Sequence, residues 1–98
     1  MKEKVFAYLK TVPFGKVVTY GQIAKHLGNA RLARAVGNAL HTNTDFLGIP
    51  CYKVVDSQGK LSYNYADGGI ETQKKRLEKE GIEVSDYKVD LNKYLFKE

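Results

Sequence analysis

The chain carries one cysteine, Cys51, within Ile49-Pro50-Cys51-Tyr52. As a thiolate it would be a strong nucleophile toward a soft carbon. As an enclosed thiol it would be a small hydrophobe. Both readings are open for a lone cysteine. An internal disulfide is impossible. One cysteine with His26 and His41 also falls short of the roughly four ligands at set spacings that structural zinc requires, so the expected metal site is none.

A second candidate is Arg34. A helix expected over about residues 30–41 places Leu32, Val36, Ala39 and Leu40 on one side at 100° per residue. The other side carries Ala30, Ala33, Arg34, Gly37 and His41, small residues around one long cation, where a solvated face would carry Glu, Lys and Gln. Gly37 costs about 1 kcal/mol of helix propensity relative to alanine. Such a face suits close approach to a phosphate backbone or a narrow groove. It equally suits packing against another part of the protein, with Arg34 in a salt bridge.

The elements that must position these residues follow from local signals. Val5, Tyr8, Leu9 and Val12 recur at helical spacing, predicting a helix over 2–11 ended by Pro13. Phe14-Gly15-Lys16 is a turn, and Val17-Val18 a short extended piece. Thr19-Tyr20-Gly21-Gln22 fits a capping box that opens a helix over about 20–27, closed at Gly28-Asn29. With the helix over 30–41, this is a helix-turn-helix signal. A loop follows, and Tyr52–Val55 reads as a strand. Asp56-Ser57-Gln58-Gly59 is a turn with Asp first and Gly last. Lys60–Tyr63 is expected to return as the second strand of a hairpin. Residues 64–69 form a loop, and 70–80 a polar helix closed by Gly81, with a Glu71/Lys75 pair on a solvated face. Val89, Leu91, Tyr94, Leu95 and Phe96 are expected to dock on the core.

Ninety-eight residues and a 43% hydrophobic content fit one ordered domain with a modest core. No run approaches the roughly 18 apolar residues a membrane span needs. Met1-Lys2-Glu3-Lys4 leads into an amphipathic pattern unlike a signal peptide, which gives the expectation of a cytoplasmic, intracellular protein. The net charge of +5 is unevenly spread. Residues 1–60 hold nine Lys/Arg against three Asp/Glu, and residues 61–98 seven against eight. The basic excess on the first part favours a polyanion partner.

The motif Pro13-Phe14-Gly15-Lys16-Val17-Val18-Thr19-Tyr20-Gly21-Gln22-Ile23-Ala24 resembles the DNA-binding domain of the O6-alkylguanine-DNA alkyltransferases. The likeness continues through Ala33-Arg34-Ala35-Val36-Gly37 and Asn43. It is strongest at Ile49-Pro50-Cys51-Tyr52-Lys53-Val54-Val55 and ends at Asn64-Tyr65, Gly68-Gly69 and Glu80-Gly81. The resemblance implies a single, mainly α domain with a small β element, a winged-helix-like helix-turn-helix fold. The helix-turn-helix would span about 20–41, the active-site loop 42–55 and the base-contacting loop 60–69, followed by the helix over 70–80 and the tail.

The family moves the alkyl group of O6-alkylguanine irreversibly onto its own cysteine, with no cofactor. By resemblance Cys51 is that acceptor, Tyr20 presses on the phosphate beside the flipped nucleotide, and Arg34 fills the vacated stack from the minor groove. Asn43 braces the active-site loop, and Glu80 ends the cysteine-histidine-glutamate relay. Thr19, Ala33, Gly37 and Lys53 fall among the DNA contacts implied. Pro50, Val54 and either Tyr65 or Tyr63 line the base pocket. The implied partner is duplex DNA bearing O6-alkylguanine, bound by a monomer. The division of labour is physically sound: the base must leave the stack before in-line attack, and extrusion costs a few kcal/mol.

Three departures from the family matter. Its usual N-terminal domain is expected to be missing here, as in the alkyltransferase-like proteins. Those carry tryptophan in place of the cysteine and flag the lesion for excision repair without transferring the alkyl group. Tyr52 stands in place of the family histidine, and a phenol is a poor base at neutral pH. Loss of thiolate alone slows transfer by roughly 20–50-fold, so a slow methyltransferase is expected, with Glu80 left as a helix C-terminal charge. Lys53 replaces an arginine, and Ala66-Asp67 lengthens the base loop. Three functions thus compete: a single-use alkyltransferase, a non-catalytic lesion sensor, and a plain helix-turn-helix regulator.

Overall fold

The computed structural model describes residues 2–42, 48–62 and 69–97. Helix α1 (Lys2–Leu9) is followed by strand β1 (Val18–Thr19) and helix α2 (Tyr20–His26). A 3-10 turn (Ala30–Leu32) leads into helix α3 (Ala33–Leu40). A second 3-10 turn (Cys51–Lys53) leads into strand β2 (Val54–Val55). Helices α4 (Gly69–Lys79) and α5 (Leu91–Tyr94) complete the order. Among the described residues, no helix is long and apolar enough to cross a membrane.

The helix-turn-helix forms where the capping signals place it. Thr19 accepts from the Gln22 N–H (3.0 Å), and the Gln22 side chain accepts from the Thr19 N–H (3.4 Å). These bonds satisfy amides that the first turn of α2 leaves free. Leu27 caps α2, and Gly28 follows at φ 99°, a conformation that favours glycine. Val36 and Leu40 on α3 are buried, as the wheel requires. The expected helix over 30–41 begins instead as the 3-10 turn, because the Asn29 side chain caps the Arg31 N–H (2.9 Å).

The sheet differs from expectation. Tyr52–Val55 does not pair with Lys60–Tyr63. Instead β2 runs parallel to β1, Val18 opposite Val54 and Thr19 opposite Val55. The turn at 56–59 does form, with Gly59 N–H donating to the Asp56 carbonyl (2.9 Å). The returning segment then pairs antiparallel with 87–89, Lys60 opposite Lys88. Turn chemistry was readable locally; which segment each edge would find was a tertiary choice.

Alternation along the two-residue strands divides the interior. Val18 and Val54 face one core with Val5, Leu9, Ile23, Val36 and Cys51. Val17 and Val55 face a second, with Leu61, Leu77, Ile82, Val89 and Tyr94. The tail docks as expected: Val17 N–H donates to the Tyr94 carbonyl and Phe96 N–H to the Val17 carbonyl, both 2.8 Å. Of the expected Glu71/Lys75 pair, Glu71 accepts instead from the Tyr87 hydroxyl.

Gly59 is required twice over. Its φ is 84°, and a Cβ there would lie 2.3 Å from the Val89 carbonyl oxygen. Gly59→Ala should therefore lower stability by about 2–4 kcal/mol, read as a lower urea midpoint in circular dichroism.

Candidate active site

Cys51 opens the 3-10 turn that Pro50 introduces, is 6% exposed, and belongs to the first core. Its N–H donates to the Ile49 carbonyl (2.8 Å), and the Pro50 carbonyl accepts from Lys53 N–H (3.1 Å). This turn, rather than the expected strand, sets the directions of three successive side chains. Cys51 enters the first core, Tyr52 is half-buried against both cores, and Lys53 points inward.

Lys53 overturns its expected place among the DNA contacts. It is 3% exposed. Its ammonium lies 2.8 Å from Glu80 Oε1 and donates to the carbonyls of Pro13 (2.8 Å) and Val12 (3.4 Å). A buried ammonium is tolerable only when paired and hydrogen-bonded in this way. With its donors thus engaged, it has no route to a phosphate.

Glu80 overturns the expectation of a stray helix-end charge. Its Oε2 accepts from the Tyr52 hydroxyl (2.5 Å) and its Oε1 from the Gly15 N–H (2.9 Å), in addition to Lys53. Burial pushes the carboxyl up. The bonds from Lys53, Tyr52 and Gly15 outweigh that and hold it below the usual carboxylate value. Tyr52 moves the other way. Burial comes first, then the bond to Glu80 and that carboxylate's charge, and together they push the phenol well above its ordinary value. Tyr52 is therefore a proton donor fixed to Glu80, not a base for Cys51.

Tyr20, the first residue of α2, stands on the other side of the cysteine. Burial raises its phenol above the ordinary value, the neighbouring Ser62 side chain pulls it down in part, and the Asp56 carboxylate adds to the rise. Tyr20 and Tyr52 both pack against the core that holds Cys51. On α3, Gly37 turns toward Tyr20: a Cβ there would sit 3.9 Å from the ring. Arg34, one turn earlier, is exposed and makes no ion pair among the described residues. Tyr20, Gly37 and Arg34 therefore lie close together along one side of the helix-turn-helix.

The other expected site residues are placed less simply. Thr19 serves as the α2 cap. Ala33 is half-buried against the first core. Val54, expected in the base pocket, is 1% exposed and sits in that core opposite Val18. Asn43, Tyr63 and Tyr65 lie outside the described residues. Among those described, no group of three His, Cys, Asp or Glu could hold a metal ion.

Two contributors were missed in the sequence. Gly15 supplies its amide to Glu80. Gln73, buried on α4, donates to the carbonyls of Tyr52 (3.0 Å) and Val54 (3.1 Å) and accepts from the Ser62 N–H (2.9 Å). It ties the cysteine turn to the segment that carries Ser62. The signal was available: Gln73 shares the inward face of α4 with Ile70 and Leu77, where a lone amide must find buried partners.

With this geometry in place, comparison with known proteins decides the family. Residues 1–82 match the DNA-binding domain of the 6-O-methylguanine DNA methyltransferases. The chain belongs to that family. It is 45% identical over 92 residues to the DNA base-flipping protein of Vibrio parahaemolyticus, covering 93% of this chain and 90% of that protein. It is 41% identical over 93 residues to the bifunctional methyltransferase/endonuclease of Picrophilus torridus. That match covers 94% of this chain but only 30% of the longer protein. The fold aligns with S. pombe Atl1, crystallised with damaged DNA containing O6-carboxymethylguanine, at a TM-score of 0.90 and 35% identity. That alignment covers 99% of this chain and 94% of Atl1. The winged-helix-like helix-turn-helix expected from the sequence is thus the fold of this family.

Two consequences of the buried network are measurable. Lys53→Met should destabilise the protein by about 3–5 kcal/mol, because it strands the Glu80 carboxylate, measured as the loss in urea unfolding free energy. Glu80 has a lowered folded value, so its contribution is complete above the ordinary carboxylate value of 4.5 and is lost as pH falls through the lower folded one. The urea midpoint of wild type should show that acid loss, and Glu80→Gln should lack that component.

Proposed function

We propose that this chain binds duplex DNA bearing O6-alkylguanine, rotates the lesion out of the stack, and takes the alkyl group onto Cys51. The observation that carries the reading is the packing of Tyr20 and Tyr52 on the core that holds Cys51, beside an exposed arginine on a slim helix. Tyr20 presses against the phosphate at the extruded nucleotide, and Arg34 enters the minor groove to fill the gap, offsetting part of the few kcal/mol that unstacking costs. Gly37 and Ala33 keep the helix thin enough for close approach. Ordered resemblance to a base-flipping protein and to Atl1 along nearly their whole length supports the same reading.

At the reacting centre the Cys51 sulfur attacks the alkyl carbon. An S–C bond forms, the O6–C bond breaks with its electron pair left on the guanine oxygen, and a proton from water restores guanine. The thioether does not revert, so each molecule reacts once. Tyr52 cannot take the thiol proton while it donates to Glu80. The network of Lys53, Glu80 and Tyr52 acts by fixing the turn rather than by relaying a proton.

The lesion-sensor reading has one observation in its favour, namely that same locked phenol. In it Cys51 merely lines the pocket, and excision-repair proteins act on the marked site.

Incubation with an O6-methylguanine duplex followed by peptide mass mapping separates the two. We expect one methyl group on Cys51 and none on any other residue. Binding of the alkylated duplex with an unmodified Cys51 after prolonged incubation at pH 8.5 would establish the sensor instead.

A further inference from the structure

Away from Cys51, charge and backbone strain coincide at one place. Leu61 N–H donates to the Tyr87 carbonyl and Val89 N–H to the Gly59 carbonyl, both 2.9 Å. These bonds flank Lys60 and Lys88, which face each other across the antiparallel bridge. Theirs is the non-hydrogen-bonded pairing, in which opposed side chains stand closest. Leu61 and Val89 are buried, so alternation turns both lysines outward together. Like charges in that position destabilise a sheet. Neither lysine forms an ion pair among the described residues, although Glu83, Asp86 and Asp90 line the clefts beside Lys88.

The adjoining turn is also unfavourable. Ser85 and Lys88 exchange two 3.0 Å backbone bonds, leaving Asp86 and Tyr87 as a two-residue turn at φ 53° and 57°. Such turns favour Asn-Gly, and a tyrosine in that region is strained. Tyr87 is held there by the Glu71 carboxylate and by the Lys74 ammonium, 5.5 Å from its ring centre.

Position gives these features a purpose. The segment leaves β2 where Val55 pairs with Thr19, the residue before Tyr20, and returns at Ser62, whose side chain lies beside Tyr20. Residues two apart on extended backbone share a face, so Lys60 stands on the face that Ser62 turns toward Tyr20. We propose that Lys60 and Lys88 are a phosphate-binding pair that grips the DNA backbone beside the nucleotide addressed by Tyr20. A phosphate between the two ammoniums would convert their repulsion into attraction. The inference rests on the duplex-binding reading above and adds to it a contact outside the helix-turn-helix.

The test is the salt dependence of binding, measured by fluorescence anisotropy on plain and O6-methylguanine duplexes from about 50 to 300 mM KCl. Wild type is compared with Lys60→Gln/Lys88→Gln and with Lys10→Gln/Lys79→Gln, which has the same net charge. Loss of two phosphate contacts should make the slope of log affinity against log salt shallower by about 1.8. The change should be equal on both duplexes, because phosphates carry no lesion information. The control should keep the wild-type slope, and the Lys60/Lys88 variant should unfold at a urea midpoint no lower than wild type. An unchanged slope, a loss confined to the alkylated duplex, or an equal change in the control would overturn the proposal while leaving duplex binding intact. Wild type that binds neither duplex would overturn both readings.

Discussion

The ammonium of Lys53 has been taken out of water, and much of the site follows from how it is compensated. Two carbonyls at the end of the first helical segment and the Glu80 carboxylate receive it. That carboxylate also holds the Gly15 amide and the Tyr52 hydroxyl. Three stretches distant in sequence are thereby locked around one charge pair. A buried pair of this kind adds little net stability over an apolar equivalent, but is costly to break. Its value lies in geometry: the residue two positions before Lys53 is the cysteine, and a turn whose third member cannot move has a first member that cannot move either.

The short parallel sheet supplies the complementary restraint. With only two residues per strand, its hydrogen bonds are few. Its effect comes from alternation, which makes it the partition between two cores. One core holds the helix-turn-helix and Cys51; the other holds α4 and the tail. A slip of one residue would turn every valine toward the wrong core, so register is enforced by burial on both sides.

Local signals carried far along this chain. The capping box at Thr19–Gln22, the glycine closing α2, the apolar stripe of α3 and the turn at Asp56–Gly59 involve neighbours within a few residues, and each forms. The resemblance also led to Cys51, Tyr20 and Arg34, which the structure draws to one side. The misreadings share a cause. The hairpin failed because an extended segment does not encode its partner, and Val54 reads alike as strand, core or pocket. Lys53 and Glu80, taken one position at a time, read as a DNA contact and a helix-end charge. Tyr52 and Lys53 in place of His and Arg make sense only as a pair meeting one carboxylate contributed from 27 residues further on.

The docking of Tyr94–Phe96 has a practical side. This segment covers the outer edge of Val17, and the Phe96 carbonyl accepts from the Gln22 side chain at 2.5 Å. Gln22 is also half of the cap on the helix that begins with Tyr20. The last strand-like residues are therefore wired to the helix that would meet the nucleic acid. A fluorophore attached just beyond Phe96 would report on movement of α2. A bulky fusion joined there without a spacer would tug on the same cap, and would uncover an unpaired strand edge.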